Sequence, residues 1–262
     1  MHADRIFLFL RSAFSLGSLM TFSFPAPRLF LLAVLTACLS ACASTQTQTQ
    51  ASGYDRPMPA FTNIGDAKLY MKHYIASGQY DADVAALDAK AEAYVIAEAH
   101  RVRRPALVLD IDETSLSNLP EIKADDFGFI KNGECRLPEG PCGHRAWQKM
   151  AASPGIGPTL SVFRAAKANG VTVFFITGRD ELERQATILN LHRAGYRGWQ
   201  GLILRPAGTT TPSAADYKAP QRARIEAMGY TIIANIGDQP SDLAGGHSLK
   251  TFQVPNPFYR IH

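Results

Sequence analysis

PALVLDIDETSLSNLP, residues 105 to 120, decides how the chain is read. Ala106 to Asp110 has the look of a short apolar strand that runs straight into an acid, and Asp112 and Glu113 follow almost at once. A strand that is apolar at consecutive positions is covered on both faces, as happens in parallel sheets packed between helices. In an extended chain, residues two apart point to the same side, so Asp110 and Asp112 are expected together. A buried strand delivering three carboxylates at its end needs a physical reason.

The surrounding sequence supplies the frame for that strand. Upstream, Asn63 with Asp66 three residues on marks a helix start, and the Ala-rich stretch from about 81 to 100 predicts a second helix. Downstream, residues 115 to 155 are irregular, rich in Gly and Pro, and carry Cys135, Cys142, Phe127, Phe129 and Trp147. A rhythm then sets in: helix 158–169, strand VTVFFIT, helix 180–194, strand GLILR, helix 215–228, strand YTIIANIG and a last strand near 249–254. Short β-rich runs alternating with amphipathic helices predict an α/β fold, a three-layer Rossmann-like parallel sheet preceded by N-terminal helices.

In open α/β sheets ligands sit at the carboxyl ends of the strands. Asp110, Asp112 and Thr114 follow the first strand; Thr177, Gly178, Arg179 and Asp180 follow the second; Gly237, Asp238 and Asp242 follow TIIANI; Lys218 lies on the helix before it. Several ionised carboxylates in one place repel and require a cation. Oxygen ligands without His or Cys point to Mg²⁺, which also accepts a substrate phosphate oxygen. A small hydroxyl, a glycine amide and a lysine are groups that hold phosphate. One carboxylate can attack phosphorus, and a second can protonate the leaving oxygen and then activate water.

DIDET, FFITGRDE, DYK and IGDQPSDL, in this order, resemble the four motifs of the haloacid dehalogenase superfamily. SGQYDADVAAL, TGRDELERQATILNLHRAGY and the closing VPNPFY narrow the likeness to its subfamily IIIB acid phosphatases, the group of outer-membrane lipoprotein phosphatases and plant vegetative storage proteins. The likeness runs from about residue 63 to the C-terminus and implies a Mg²⁺-dependent phosphatase for phosphate monoesters, nucleoside monophosphates first. It implies that Asp110 is the nucleophile and Asp112 the general acid/base, both also contacting Mg²⁺, Asp112 through its carbonyl. Thr177 and Gly178 would bind the phosphoryl group, Lys218 would stabilise charge, Asp238 would ligate the metal, and Asp242 would do so directly or through water. The 115–155 segment would be a small cap. Asp112 argues against dehalogenases and ion pumps, which lack an acid there; a phosphotransferase shares the same aspartates, and a binding or adhesion lipoprotein retaining the fold is the alternative of another class.

Blander roles compete for some residues. Glu113 is expected to be structural or solvated, Arg179 and Asp180 to pair or cap within their loop, and the aromatics of the 115–155 segment to be core rather than substrate contacts. His144 lies in that segment within conceivable reach of a substrate. Arg222 and Arg224 are the rivals of Lys218.

The first forty residues stand apart. Arg28 precedes LFLLAVLTACLSAC, about a dozen apolar residues, too few to span a bilayer that needs ~20. Leu39-Ser40-Ala41-Cys42 resembles the lipobox of bacterial lipoproteins, so residues 1–41 are expected to be a signal peptide, Cys42 a lipidated anchor, 42–60 a polar tether and 61–262 the catalytic domain. This places the protein in the bacterial cell envelope, on the outer membrane. For an exported chain, Cys135 and Cys142, seven positions apart, most simply form a disulfide; a metal pair is the rival, without a second Cys or His pair at ligand spacing. Arg5, Arg11 and Arg28 against Asp4 account for half of the formal charge of +4. The remainder is too weak and scattered for a nucleic-acid polymer.

Overall fold

A computed structural model describes residues 59–60, 63–209, 211 and 213–261. The expected signal peptide, Cys42 and nearly all of the expected tether lie outside the described residues. Five strands form the sheet: β1 (Pro105–Leu109), β2 (Thr172–Asp180), β3 (Gly201–Arg205), β4 (Thr231–Gly237) and β5 (Lys250–Gln253). The helices are α1 (Ile64–Ala76), α2 (Gln79–Glu98), α3 (Leu119–Ala124), α4 (His144–Met150), α5 (Gly157–Ala168), α6 (Arg184–Arg193), α7 (Ala214–Ala227) and α8 (Pro240–Leu243). None of the described helices is long and apolar enough to cross a membrane.

The strands lie in the order β3-β2-β1-β4-β5, and every pairing is parallel. β1 is therefore central, and all four residues from Ala106 to Leu109 are buried. Leu107 and Leu109 pack on the side of α2 and α5, among Ala91, Val95, Val162 and Phe163. Ala106 and Val108 face the other side, with Tyr217 and Ile225 of α7. The alternation of side chains thus feeds two cores from one strand, which is why the sequence is apolar at every position there. Burying a Leu side chain in such a core stabilises by about 1.5–3 kcal/mol.

Local sequence sets the helix boundaries. The Asn63 side chain accepts from the Asp66 N–H at 2.9 Å and starts α1 as expected. Gly78, at φ 75°, provides the left-handed turn into α2, a conformation that a side chain would oppose. The irregular stretch 115–155 contains the short helices α3 and α4, and a disulfide joins Cys135 to Cys142 between them. Its ends are tied together by the Ser117 N–H donating to the Pro154 carbonyl and by a bridge between Leu116 and Gly155.

One buried acid lies under this framework. Thr159 Oγ1 is 2.6 Å from the Thr114 carbonyl and 2.8 Å from Asp88 Oδ2. A hydroxyl has a single hydrogen. Spent on the carbonyl, which cannot donate, it leaves Asp88 as the donor to Thr159, and so as a protonated acid. Burial, with help from Glu92, pushes the Asp88 carboxyl up to about 7. Because the folded chain holds this proton more tightly than the unfolded chain, the stabilisation is complete below the ordinary carboxylate range near pH 4. It is lost as pH rises through about 7, with an upper bound of about 4 kcal/mol. Denaturant unfolding is expected to show stability falling over this window, and Asp88→Asn is expected to flatten the fall. An unchanged slope in the variant contradicts the assignment.

Candidate active site

The strand order turns about β1: the chain leaves it for β2 on one side and reaches β4 on the other. This is the switch point at which α/β sheets open a crevice at their carboxyl edge. Asp110 follows β1 directly, and its N–H donates to the Ile236 carbonyl of β4 at 2.9 Å. The strand ends at Leu109, and the extended chain expected to carry Asp110 and Asp112 to the same side does not continue. The Ile111 carbonyl is taken by the N–H groups of Thr114, Ser115 and Leu116, so the chain curls instead of extending. Glu113 sits at φ 53° in that curl, the left-handed region in which a non-glycine residue is strained.

Three acids converge in the crevice. Asp110, Asp238 and Asp242 are all buried, and each offers an oxygen within 4.8 Å of the others. Lys218, from α7, places Nζ 2.5 Å from Asp110 Oδ1 and 2.6 Å from Asp242 Oδ1. Burial works to lower the lysine's pKa, but the two carboxylates outweigh it and hold the ammonium charged. Asp238 Oδ2 accepts from Gln239 Nε2 at 2.5 Å and from Asn256 Nδ2 at 2.6 Å. Asp242 Oδ2 accepts the Gln239 N–H at 2.9 Å, which caps α8. Thr114 Oγ1 stands between Asp110 Oδ2 and Asp238 Oδ1 at 3.5 and 3.4 Å.

The charges do not balance within this group. Burial first, then the neighbouring Asp242, pushes Asp238 well above the ordinary carboxylate range. Burial also raises Asp110 to about 7, with Lys218 opposing and Asp242 and Asp112 adding to the rise. A crevice of hard oxygen donors with one lysine among three acids suits a hard, oxygen-seeking cation. The donor set fits such an ion.

Asp112 has a different environment. Burial works to raise its pKa, but the Arg179 guanidinium more than offsets this and holds it at about 2. Arg179 Nη2 donates to Asp112 Oδ1 at 2.7 Å, and Nε lies 3.1 Å from each carboxylate oxygen. The Asp112 carboxylate therefore stands outside the three-acid group of Asp110, Asp238 and Asp242. Thr177 is fully buried at the end of β2, its Oγ1 accepting the Arg179 N–H at 3.2 Å, and Gly178 beside it is exposed. Both lie on the same sheet edge as Asp110.

The structure also distributes the remaining candidates. Glu113 is completely buried rather than solvated, bonded by Tyr259 Oη, by the Asn118 N–H at 2.5 Å and by Asn118 Nδ2 at 3.1 Å. Asp180 caps the 3-10 turn Glu181–Glu183, while Arg179 reaches across to Asp112 rather than pairing within its loop. Arg222 donates to the carbonyls of Asp242, Ala244 and Gly246, and Arg224 is bonded to Gln221 at the surface, so Lys218 alone among the three reaches Asp110. Trp147 is buried, Phe127 packs on Phe258, and exposed Phe129 lies against the His144 ring. His144 Nδ1 is 3.1 Å from both Glu121 oxygens. Sequence reasoning left Asn118, Gln239, Asn256 and Tyr259 without roles, although Gln239 lies in IGDQPSDL and Asn256 and Tyr259 in VPNPFY, stretches that carry the family likeness.

A five-stranded parallel sheet in the order 3-2-1-4-5, with acids after the first and fourth strands, is a Rossmann-like fold of the haloacid dehalogenase type. The chain belongs to the haloacid dehalogenase superfamily, subfamily IIIB (acid phosphatase), whose family model matches residues 36–262. It is 34% identical over 194 residues to the stem 28 kDa glycoprotein of Glycine max, covering 72% of this chain and 73% of that protein. It is 31% identical over 194 residues to acid phosphatase 1 of Solanum lycopersicum, covering 73% of each, and 29% identical over 201 residues to vegetative storage protein 1 of Arabidopsis thaliana, covering 75% of this chain and 71% of that one. Among solved structures, the class C acid phosphatase from Bacillus anthracis with tungstate bound matches with a TM-score of 0.58 at 20% identity, over 74% of this chain and 84% of that one, a likeness of fold. The chain is thus a phosphomonoesterase of this superfamily.

The relatives correct one expectation. They come from soybean, tomato and Arabidopsis, which points to a plant protein and overturns the placement in a bacterial outer membrane with a lipid on Cys42. The misreading rested on four residues, Leu39 to Cys42, after an apolar run of the kind that export signals share whatever their destination.

Gly237, the last residue of β4, lets Asp242 approach this closely: a Cβ there would lie 2.6 Å from the Asp242 Cβ. Gly237→Ala is therefore expected to displace Asp242 and with it Lys218, costing about 1–3 kcal/mol in denaturant unfolding and lowering phosphatase activity. A variant with native stability and activity contradicts this packing.

Proposed function

We propose that the chain is a Mg²⁺-dependent acid phosphatase that hydrolyses small phosphate monoesters, nucleoside monophosphates among them, through an aspartyl-phosphate on Asp110. The observation that carries this reading is the place of Asp110: buried at the end of the central strand, one oxygen held by Lys218, beside Asp238 and Asp242. Residues 61–262 form the catalytic domain in this account, with the 115–155 segment as its cap. Asp110, Asp238 and Asp242, with the Asp112 carbonyl, would hold the cation. When bound, it supplies positive charge that keeps Asp110 ionised and offsets the phosphoryl oxygens.

Asp110 Oδ2 attacks phosphorus while the bond to the ester oxygen breaks. Lys218 fixes the other carboxylate oxygen and, with Thr177 and the Gly178 amide, takes up the charge on the phosphoryl group. The ester oxygen leaves with a proton from Asp112. Arg179 keeps Asp112 ionised at rest, so this proton must first be acquired. A phosphate monoester has a second pKa of about 6, and below that pH it arrives carrying a proton that Asp112 relays to the ester oxygen. In the second step Asp112 accepts a proton from water, the water oxygen bonds to phosphorus, and phosphate leaves Asp110 as a free carboxylate.

Asp110→Asn is expected to lower turnover of an aryl phosphate on the order of 10³-fold or more while the melting temperature stays near that of the native protein. EDTA is expected to abolish activity, with Mg²⁺ restoring it. Undiminished turnover in the variant, or full activity in EDTA, contradicts the proposal, and a panel including nucleoside monophosphates and sugar phosphates tests the substrate class.

A further inference from the structure

Asn118 stands at the N-cap of α3, where an asparagine ordinarily turns its side chain onto the first N–H groups of its helix. Here it makes no such capping bond. The side chain is instead buried beneath the loop that carries the acids. Nδ2 donates to Asp112 Oδ1 at 2.9 Å and to Glu113 Oε2 at 3.1 Å. Oδ1 accepts from Trp147 Nε1 at 2.8 Å and from Ser153 Oγ at 3.2 Å. The chemistry fixes which end of the amide is which, because an indole N–H only donates and an ionised carboxylate only accepts. Both hydrogens and both lone pairs of the amide are in use.

The partners on the two ends belong to different parts of the chain. Asp112 and Glu113 are in the loop after β1, whereas Trp147 lies on α4 and Ser153 just beyond it, in the segment that leaves the sheet at 115 and returns at 155. A primary amide with all its bonds made has one orientation, so the position of the segment fixes the position of the Asp112 carboxylate. Arg179 and Asn118 converge on Asp112 Oδ1, which leaves Oδ2, with Arg179 Nε at 3.1 Å, as the oxygen with fewer partners.

We propose that Asn118 is a positioning residue through which the 115–155 segment aims Asp112 Oδ2 at the ester oxygen of the substrate. This rests on the assignment of Asp112 as the proton carrier. A group that acts by aiming a proton donor matters most when the leaving group needs the proton. Loss of Asn118 should therefore be felt with an alkyl phosphate, whose alkoxide is a poor leaving group, and little with 4-nitrophenyl phosphate, whose phenolate departs unassisted. Damage that is merely structural lowers both alike.

The test is kcat/KM, which reports the steps up to leaving-group departure, for the full chain with Mg²⁺ on glycerol phosphate and on 4-nitrophenyl phosphate. Asn118→Ala is expected to lose at least about tenfold more on the alkyl ester than on the aryl ester. Trp147→Phe, which removes the donor to Asn118 Oδ1 and keeps an aromatic ring in the core, is expected to show a smaller loss of the same kind, and it decides the matter if Asn118→Ala does not fold. Asp112→Asn, measured beside them, is expected to show the largest selective loss. Equal losses on the two esters in Asn118→Ala, or in Trp147→Phe where it stands alone, overturn the coupling when Asp112→Asn remains selective. Equal losses in Asp112→Asn overturn the assignment of the proton carrier itself, and the coupling with it.

Discussion

One ammonium group organises the site. Lys218 Nζ is shared by Asp110 and Asp242 at 2.5 and 2.6 Å, and all three side chains are nearly excluded from water. A buried charge left without its partner costs about 3–5 kcal/mol, so the lysine and its two acids constrain one another. The arrangement depends on features that look unrelated in the chain: Gly237, whose missing side chain admits Asp242; the Gln239 N–H, which fixes the second Asp242 oxygen; and α7, whose packing on Val108 and Ala106 through Tyr217 and Ile225 brings Lys218 to the sheet edge. Asp238 adds a third acid without adding a cation, and the resulting excess of negative charge is the physical reason this cluster could hold a metal ion.

The two aspartates of the DIDET motif show how environment separates identical groups. Asp110 shares its lysine with Asp242 and lies among acids, so burial carries its pKa up to about 7; Asp112, two residues on, is grasped by Arg179 and stays near 2. Environments that push paired carboxyl groups apart are what assigns them different tasks. As the proposed nucleophile, Asp110 needs added positive charge to stay ionised. As the proposed proton carrier, Asp112 rests as a base and takes part in proton transfer only when a proton is brought to it. Glu113, the third acid of the stretch, is consumed by structure: Tyr259 and Asn118 enclose it, and it anchors the left-handed turn that redirects the chain.

The sheet was legible because β1 and β4 are apolar at consecutive positions and the helices between strands carry regular spacing; the ends of the strands followed, and with them Asp110, Asp112, Asp238 and Lys218. What was not legible depends on contacts between distant positions. Arg179 reads as a loop residue until the fold sets it against Asp112, 67 positions away. Asn118 had no role in the sequence, and two of its partners, Trp147 and Ser153, belong to a segment with no periodicity to place it. Asn256 and Tyr259 follow the last strand, and nothing in their immediate surroundings announces that they bond Asp238 and Glu113. The curl after Leu109 was hidden as well, since an extended strand through Asp112 has the same sequence.

The central claim is that the phosphoryl group passes through Asp110. Its most direct test is acid-quenched mass spectrometry of the Asp112→Asn variant with Mg²⁺ and 4-nitrophenyl phosphate, a substrate whose leaving group departs without a proton while the missing base slows release of phosphate. The account predicts that a phosphoryl group accumulates on the peptide containing Asp110, and that borohydride reduction of the acyl phosphate converts this aspartate to homoserine. Nitrophenol released in a first turnover without any label on Asp110, or with the label on another residue, would contradict it.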